Sequence, residues 1–407
     1  MLDAKAVRRD FPILDRKVSG GKPLVYLDNA ATTQKPTQVI DAMDRYYRET
    51  NSNVHRSIHE LGERATEQYV AAHERVAEFI GASSYEEIVF TKNCTEALNL
   101  VAYSRGLREL KPGDEVVISQ MEHHSNFVPW LEVCRLTGAK LRIVPLTPEG
   151  MLDMAAYEAA LSRRTRLVSL TAMSNVLGTI TPVKEIVKLG HEAGATVIID
   201  GAQSVPHSAT DVRATGEDFL AFSAHKMLGP TGIGVLYGRR EKLLEMEPFL
   251  FGGEMIGRVT NEGATWNDLP WKFEAGTPVI AEAVGLHAAI DYLDALGMDA
   301  IHQHERKLVE RAFERLAHLP VKIIGPPPSK RGGLVAVEME GIHAHDLASL
   351  LNDQGVAVRA GHHCAQPLMN ALGIASTVRA SFYVYNTPAE VDAFVAALEH
   401  ARKVFQL

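Results

Sequence analysis

Residues 195–238 read ATVIIDGAQSVPHSATDVRATGEDFLAFSAHKMLGPTGIGVLYG, and three apolar runs inside that stretch decide the fold. Thr196 to Ile199 is β-branched and uninterrupted, the pattern of a strand buried on both faces. It ends at Asp200, and a glycine follows. A second run, Phe219 to Phe222, leads into Ser223-Ala224-His225-Lys226. A third, Ile233 to Tyr237, follows a Gly/Pro turn. An acid and a lysine therefore each sit at the end of a predicted strand, and in open α/β sheets such ends are where ligands bind.

Taken alone, a strand-end acid and lysine can simply face solvent. Together they also suit pyridoxal 5′-phosphate (PLP), whose aldehyde a lysine anchors and whose ring nitrogen an acid keeps protonated. The lysine must be deprotonated to react, and desolvation beside other cations can depress its pKa by as much as ~3–5 units. Asp200-x-x-Gln203 followed by Ser223-x-His225-Lys226, with glycines behind, decides between these readings. The pattern resembles the lysine segment of the class V aminotransferases, within fold-type I.

That resemblance implies an α/β, aspartate-aminotransferase-like fold: a large domain with a mostly parallel central sheet, plus a smaller α+β domain. The expected division is an N-terminal segment, 1–20, associated with the small domain, then a large PLP-binding domain, 21–290. The small C-terminal domain, 291–407, carries Cys364. Strand and helix patterns alternate through Glu87–Thr91, Ala97–Tyr103, Glu115–Ser119, Leu141–Val144, Leu167–Thr171 and Val183–Ala193, as a βαβ chain requires. Upstream, a helical stripe predicts a helix from Ile58 to Ile80, stopped by Gly81. At the far end Thr387, Pro388 and Glu390 form a helix start with a capping box.

Bulk properties narrow the class. The chain has 407 residues, 46% hydrophobic and 23% charged, with a net charge of −8. These values suit a soluble globular protein and argue against a dedicated nucleic-acid binder. No apolar run reaches membrane-spanning length, and the N-terminus lacks a secretory h-region, so the cytoplasm is the default location. Three cysteines, Cys94, Cys134 and Cys364, are too few and too scattered for a disulfide framework or zinc knuckle. His123-His124 and His343-Ala-His345 lack a third ligand at a known spacing, so no metal is expected.

The resemblance assigns roles along the chain. It implies that Ala30, in LVYLDNAATT, and His55, in NSNVHR, lie near the active site. After the strand ending at Thr91, a polar Thr95 reads as a helix cap, and a helix N-terminus also binds anions. The resemblance makes Thr95 a phosphate ligand and puts Glu96 beside the cofactor. His123 is expected over the cofactor ring, handling protons, with His124 behind it or structural. Asn175 is expected at the substrate carboxylate and ring oxygen, and Asp200 and Gln203 at the ring. Ser223 and His225 are expected at the phosphate, and Thr277, in EAGTP, at the partner subunit's phosphate.

The deciding segment for chemistry is Val358 to Leu368, VRAGHHCAQPL. Cysteine is usually a buried filler, and Cys94 and Cys134 are read that way. Cys364 instead stands among glycine, two histidines and an arginine, where a reactive thiolate is expected. RxGHHCAxPL resembles the group II, SufS-type cysteine desulfurases, and the likeness runs from DFPIL to the final helix. It implies conversion of L-cysteine to L-alanine by Lys226, with sulfur captured as a persulfide on Cys364. Arg379 would bind the substrate carboxylate, and Arg359 would orient substrate or thiol. It further implies a homodimer with shared active sites. The alternative is a selenocysteine lyase, using L-selenocysteine, or a cysteine sulfinate desulfinase. From Gly361 to Pro367 the loop is short, and a reach of ~3.3–3.6 Å per residue limits the thiol's swing to about 10 Å. An acceptor protein, SufE-like or SufU-like, is therefore expected to come to the sulfur for iron–sulfur cluster assembly.

Overall fold

The computed structural model describes residues 2–18 and 20–406; positions 1, 19 and 407, which fall within the expected domain limits, lie outside the described residues. Its centre is a seven-stranded sheet. In chain order the strands are β1 (Ile88–Thr91), β2 (Glu115–Ser119), β3 (Lys140–Val144), β4 (Thr165–Thr171), β5 (Thr196–Asp200), β6 (Phe219–Ser223) and β7 (Gly234–Gly238). Across the sheet they run β1-β7-β6-β5-β4-β2-β3. The pairs from β3 to β6 are parallel, while β7 is antiparallel to both β1 and β6. The sequence does not announce this reversal, because β7 is as apolar as its neighbours. Its cause is the short Gly/Pro turn after Lys226, which leaves no room for a crossover helix.

Both sheet faces are covered, and the period of two along each strand sorts the side chains. Val116 and Ile118 pack with helices α2 (Cys94–Val101) and α3 (His124–Thr137), through Leu98 and Trp130. Val117 faces the other way, sharing a core with Val76 of α1 (Glu60–Phe79), Ile186 of α4 (Val183–Glu192) and Leu286 of α5 (Ile280–Leu296). Each buried branched side chain contributes roughly 1.5–3 kcal/mol. Edge strand β3 keeps Lys140 and Arg142 exposed, which discourages pairing with another sheet. Helix α1 stops where the sequence indicates, with Gly81 at φ +69°.

A second, antiparallel sheet is built from β8 (Val321–Ile324), β9 (Leu334–Met339), β10 (Arg359–Gly361) and β11 (Thr377–Ser381), in the order β8-β9-β11-β10. Its core includes Val335, Val378 and Phe394, the last from the final helix, Pro388–Val404. The expected capping box is present, with the Thr387 amide donating to Glu390 Oε2 at 2.8 Å. The N-terminal segment joins this sheet's surroundings: Val25–Tyr26 pairs in parallel with Val356–Ala357, and Arg8 meets Glu390 at 2.8 Å.

One buried carboxylate ties α1 to the sheet edge. Glu274 accepts from Tyr69 Oη at 2.6 Å and from the Phe90 amide at 2.7 Å, and lies 2.9 Å from His73 Nε2. Replacing Glu274 with Leu orphans these groups, so urea unfolding is expected to show a loss of about 3 kcal/mol or more. An unchanged midpoint would contradict this.

Candidate active site

The carboxyl ends of β5 and β6 open on a cavity of about 230 Å³. Asp200 ends β5 and is 3% exposed; its Oδ1 accepts from the Ala202 amide at 2.9 Å and lies 3.5 Å from Cys94 Sγ. Lys226 follows β6 on a short 3₁₀ turn and is half-buried. Its ammonium form is disfavoured: burial lowers the pKa, opposed by Asp200, while Arg379 adds to the lowering. Burial likewise raises Asp200.

The turn that carries the lysine is held from beneath. The His225 carbonyl accepts from the Thr33 amide at 2.9 Å, Thr32 Oγ1 at 3.0 Å, Thr33 Oγ1 at 3.1 Å and Lys35 Nζ at 3.0 Å. Lys35 has its pKa pulled down to about 7 by burial alone. The threonines belong to the NAATT segment, 29–33, and Lys35 follows just after it; the same segment gives the Ala30 carbonyl to Gln203 Nε2 at 2.7 Å.

At the phosphate end expected from the sequence, the helix cap differs from the one read there. Asn93, not Thr95, caps α2, accepting from the Glu96 amide at 3.0 Å. Its extended backbone, φ −174°, suits a cap, and asparagine serves as well as threonine. Thr95 sits in the first turn, exposed, 2.6 Å from Ser125 Oγ. Ser223 Oγ accepts from the Cys94 amide at 2.8 Å. Strand β7 passes so close that a Cβ on Gly234 would lie 2.4 Å from the Asn93 carbonyl carbon, so only glycine fits there.

His123 caps α3 with its own ring, Nδ1 accepting from the Ser125 amide at 3.1 Å. A neutral ring that accepts at Nδ1 carries its proton on Nε2. Burial, with Lys226 nearby, lowers its pKa to about 3. Burial also takes His225 down to about 4 and His363 to about 3.

The C-terminal sheet closes the cavity with Arg359, Cys364 and Arg379. Arg379 is 2% exposed, donates to the Asn175 carbonyl at 2.8 Å and meets Asp28 Oδ1 at 3.2 Å. Cys364 is exposed, on a turn where His363 and Cys364 have φ of 51° and 56°. Left-handed backbone at a non-glycine residue costs ~1–3 kcal/mol, so this turn persists because its neighbours hold it.

Most sequence-derived candidates thus meet in one place. Ala30, Thr95, His123, Asn175, Asp200 and Gln203 line the cavity, as do Ser223, His225, Lys226, Arg359, Cys364 and Arg379. Glu96 and Thr277 line a separate hollow with Phe249 and Leu250. His55 packs on Trp271, ring centroids 4.3 Å apart, outside the cavity. Ser125, Asn93 and Asp28 were not singled out from the sequence. Ser125 follows His123-His124 and Asp28 precedes the Asn-Ala-Ala turn, so adjacency to motif residues was the available signal.

Three buried polar atoms of this cavity, Gln203 Oε1, His363 Nδ1 and Arg379 Nε, have no hydrogen-bond partner among the described residues. Buried groups of this kind fit a polar guest. With a strand-end acid and a deprotonation-prone lysine, the set fits PLP and an amino-acid substrate.

Comparison with known proteins agrees. The class-V aminotransferase family matches residues 25–394. A probable cysteine desulfurase of Halobacterium salinarum is 55% identical over 405 residues, spanning 99% of this chain and 98% of that protein. A cysteine desulfurase structure from Thermococcus onnurineus superposes with a TM-score of 0.94 at 42% identity, covering 99% of both chains. The cysteine desulfurase CsdA of Escherichia coli gives 0.92 at 39%, again covering 99% of each. The fold and site are those of a PLP-dependent class-V aminotransferase-type protein. Within that family, the chain belongs to the cysteine desulfurases.

Three neutral histidines at one site have a consequence for stability. The unfolded chain binds protons on them near pH 6.5, whereas the folded chain does so only near 3–4. Between those values the unfolded state holds more protons on these rings, so their share of the stability falls as pH falls. Glu122, its carboxyl raised to about 8 by burial, works the other way, so the histidine share is read as a difference. From pH 7 to pH 5 the urea midpoint of the cofactor-free protein is expected to change less favourably than that of His123→Asn, and parallel profiles for the two would contradict this.

Proposed function

We propose that the chain converts L-cysteine to L-alanine, captures the sulfur on Cys364 as a persulfide, and passes it to an acceptor protein's thiol. The observation that carries this reading is an exposed cysteine thiol on a cavity shared with the half-buried Lys226 and the buried Arg379. PLP, when bound, supplies an electron sink conjugated to the substrate's α-carbon. Lys226 would anchor it, Asp200 and Gln203 would hold its ring, and Thr95, Ser223 and His225 its phosphate.

Arg379 presents the planar fork and its free Nε to the substrate carboxylate, with Asn175 beside it and Arg359 nearer the mouth. Lys226, whose ammonium form burial disfavours, takes the α-proton as the amine. The Cys364 thiolate then attacks the substrate sulfur. A sulfur–sulfur bond forms and the carbon–sulfur bond breaks. Its electron pair stays with the three-carbon fragment, which is protonated and leaves as alanine. His123, with its proton on Nε2, orients substrate and handles protons beside it.

Because the Cys364 turn is short, the acceptor must approach it; a SufE-like or SufU-like protein serving iron–sulfur assembly in the cytoplasm suits that need. The same reading divides the chain into a large domain, 21–290, and a small one, 291–407, joined by 1–20. It makes a homodimer in which His55, Glu96 and Thr277 serve the neighbouring subunit's site. Ile58, 95% exposed, and Phe251, 60% exposed, lie on the loops such a dimer would cover.

Mixing the PLP-loaded protein with L-cysteine without reductant tests the reading. The expected result is a single turnover of alanine, one sulfur atom added at Cys364, and a stall relieved by a thiol acceptor. Cys364→Ala should lose the cysteine reaction by orders of magnitude. Alanine formed with no sulfur on Cys364 would overturn the proposal in favour of direct elimination, as in a selenocysteine lyase. A full rate with cysteine alone would remove the acceptor.

A further inference from the structure

We propose that His124 is the positioning residue for the sulfur-carrying thiol, gripping the Cys364 turn with its backbone amide and its ring together. The inference rests on the reading of Cys364 as the sulfur acceptor, but the grip itself is plain geometry. His124 is the first residue of α3, directly after the capping ring of His123. Its amide donates to the Cys364 carbonyl at 2.7 Å. Its Nε2 accepts from the Gln366 amide at 3.1 Å. One residue of the central sheet's side therefore brackets Ala365, holding the two successive peptide groups that follow the cysteine.

The grip has two halves with different chemistry. First-turn amides of a helix have no partner inside the helix, and here the Cys364 carbonyl supplies one. That half is backbone and survives substitution of the side chain. The other half requires an imidazole nitrogen with a free lone pair, so the proton must be on Nδ1 and the ring must be neutral. Burial and the neighbouring His362 both favour the neutral ring. His362 and His123 are the titratable groups that bear on it. No carboxylate is among the groups that shift it, and one would pull the other way.

A grip matters because the turn does not hold itself. Consecutive left-handed residues, His363 and Cys364, favour release. Two further contacts secure the approach to the cysteine: Asn175 Nδ2 donates to the His363 carbonyl at 2.6 Å, and His363 Nε2 lies 2.8 Å from Thr377 Oγ1. Past the cysteine, His124 holds the exit. Loss of its ring frees the segment from Cys364 towards Pro367 on one side only. The thiol then remains near the cavity but is no longer fixed in direction.

Hydrogen exchange of the holoenzyme, read on the peptide spanning 361–368, is the test. It reports the grip whether or not Cys364 accepts sulfur, so failure of the functional reading leaves it interpretable. In His124→Ala, exchange in this peptide and iodoacetamide modification of Cys364 are expected to quicken about 3- to 10-fold, the worth of one hydrogen bond. The turnover number should fall with KM little changed, since substrate binding at Arg379 is untouched. His124→Gln, whose amide oxygen can accept from Gln366, should recover most of the protection. In the wild type, intrinsically corrected exchange should quicken on acidification as the ring protonates, and in His124→Gln it should not. That comparison stands even if His124→Ala fails to fold. Wild-type exchange in His124→Ala, or identical pH profiles for wild type and His124→Gln, would overturn the proposal.

Discussion

Much of this molecule follows from holding one lysine, its ammonium form disfavoured by burial, at the end of a strand. Lys226 can lose its proton because burial works against the ammonium, yet Asp200 nearby works for it. The balance depends on where the 3₁₀ turn places the amine. The N-terminal segment reaches that turn at one carbonyl, His225, which Thr32, Thr33 and Lys35 approach, and at the Leu228 amide, which donates to Thr33 Oγ1. The segment in turn cannot be loose. Asn29 Nδ2 donates to the Ser381 carbonyl at 2.6 Å and to Asn386 Oδ1 at 3.0 Å, and the Ala30 amide to Ser381 Oγ at 2.9 Å. Residues 29–35 thus act as a strap: they hold the lysine turn with one side and the C-terminal sheet with the other.

The strap explains how residues far apart in the chain keep a common geometry. Arg379 and Ser381 are on β11, one turned to the cavity and the other to the Asn29–Ala30 turn. A shift of β11 would move the arginine and the lysine support together. The Cys364 turn is tied differently. It leans on the N-terminus of α3 and on Asn175, both carried by the central sheet, although its chain belongs to the C-terminal one. Lysine and cysteine therefore each sit on one layer and are steadied by the other.

The sequence revealed the strands well, because β-branched runs buried on both faces leave little choice of structure. It revealed strand-end chemistry for the same reason: Asp200, Lys226 and His123 follow runs whose ends are legible. It did not reveal the direction of β7, whose composition matches a parallel strand. Nor did it separate Asn93 from Thr95 as the cap of α2, since both residue types cap helices and only the backbone angle decides. Ser125, Asp28 and His124 act through contacts hundreds of residues apart or across a turn, and no periodicity encodes those. Glu96, His55 and Thr277 were legible only as family positions, and one chain does not bring them to the cavity.

Charge explains why the cavity is built for an anionic guest. Lys226, Arg359 and Arg379 line it, while the acids at hand, Asp200 and Asp28, have their carboxylates disfavoured by burial. His123, His225 and His363 are all driven towards the neutral form, because burial and the neighbouring cations oppose any further positive charge. An anion at the amide-rich start of α2, and a carboxylate at Arg379, would offset the second of these, the neighbouring cations. The histidines would then become better bases than they are in the protein by itself. If His123 handles protons as proposed, that work would be coupled to occupancy, because negative charge arriving beside the ring offsets the cations that keep it neutral.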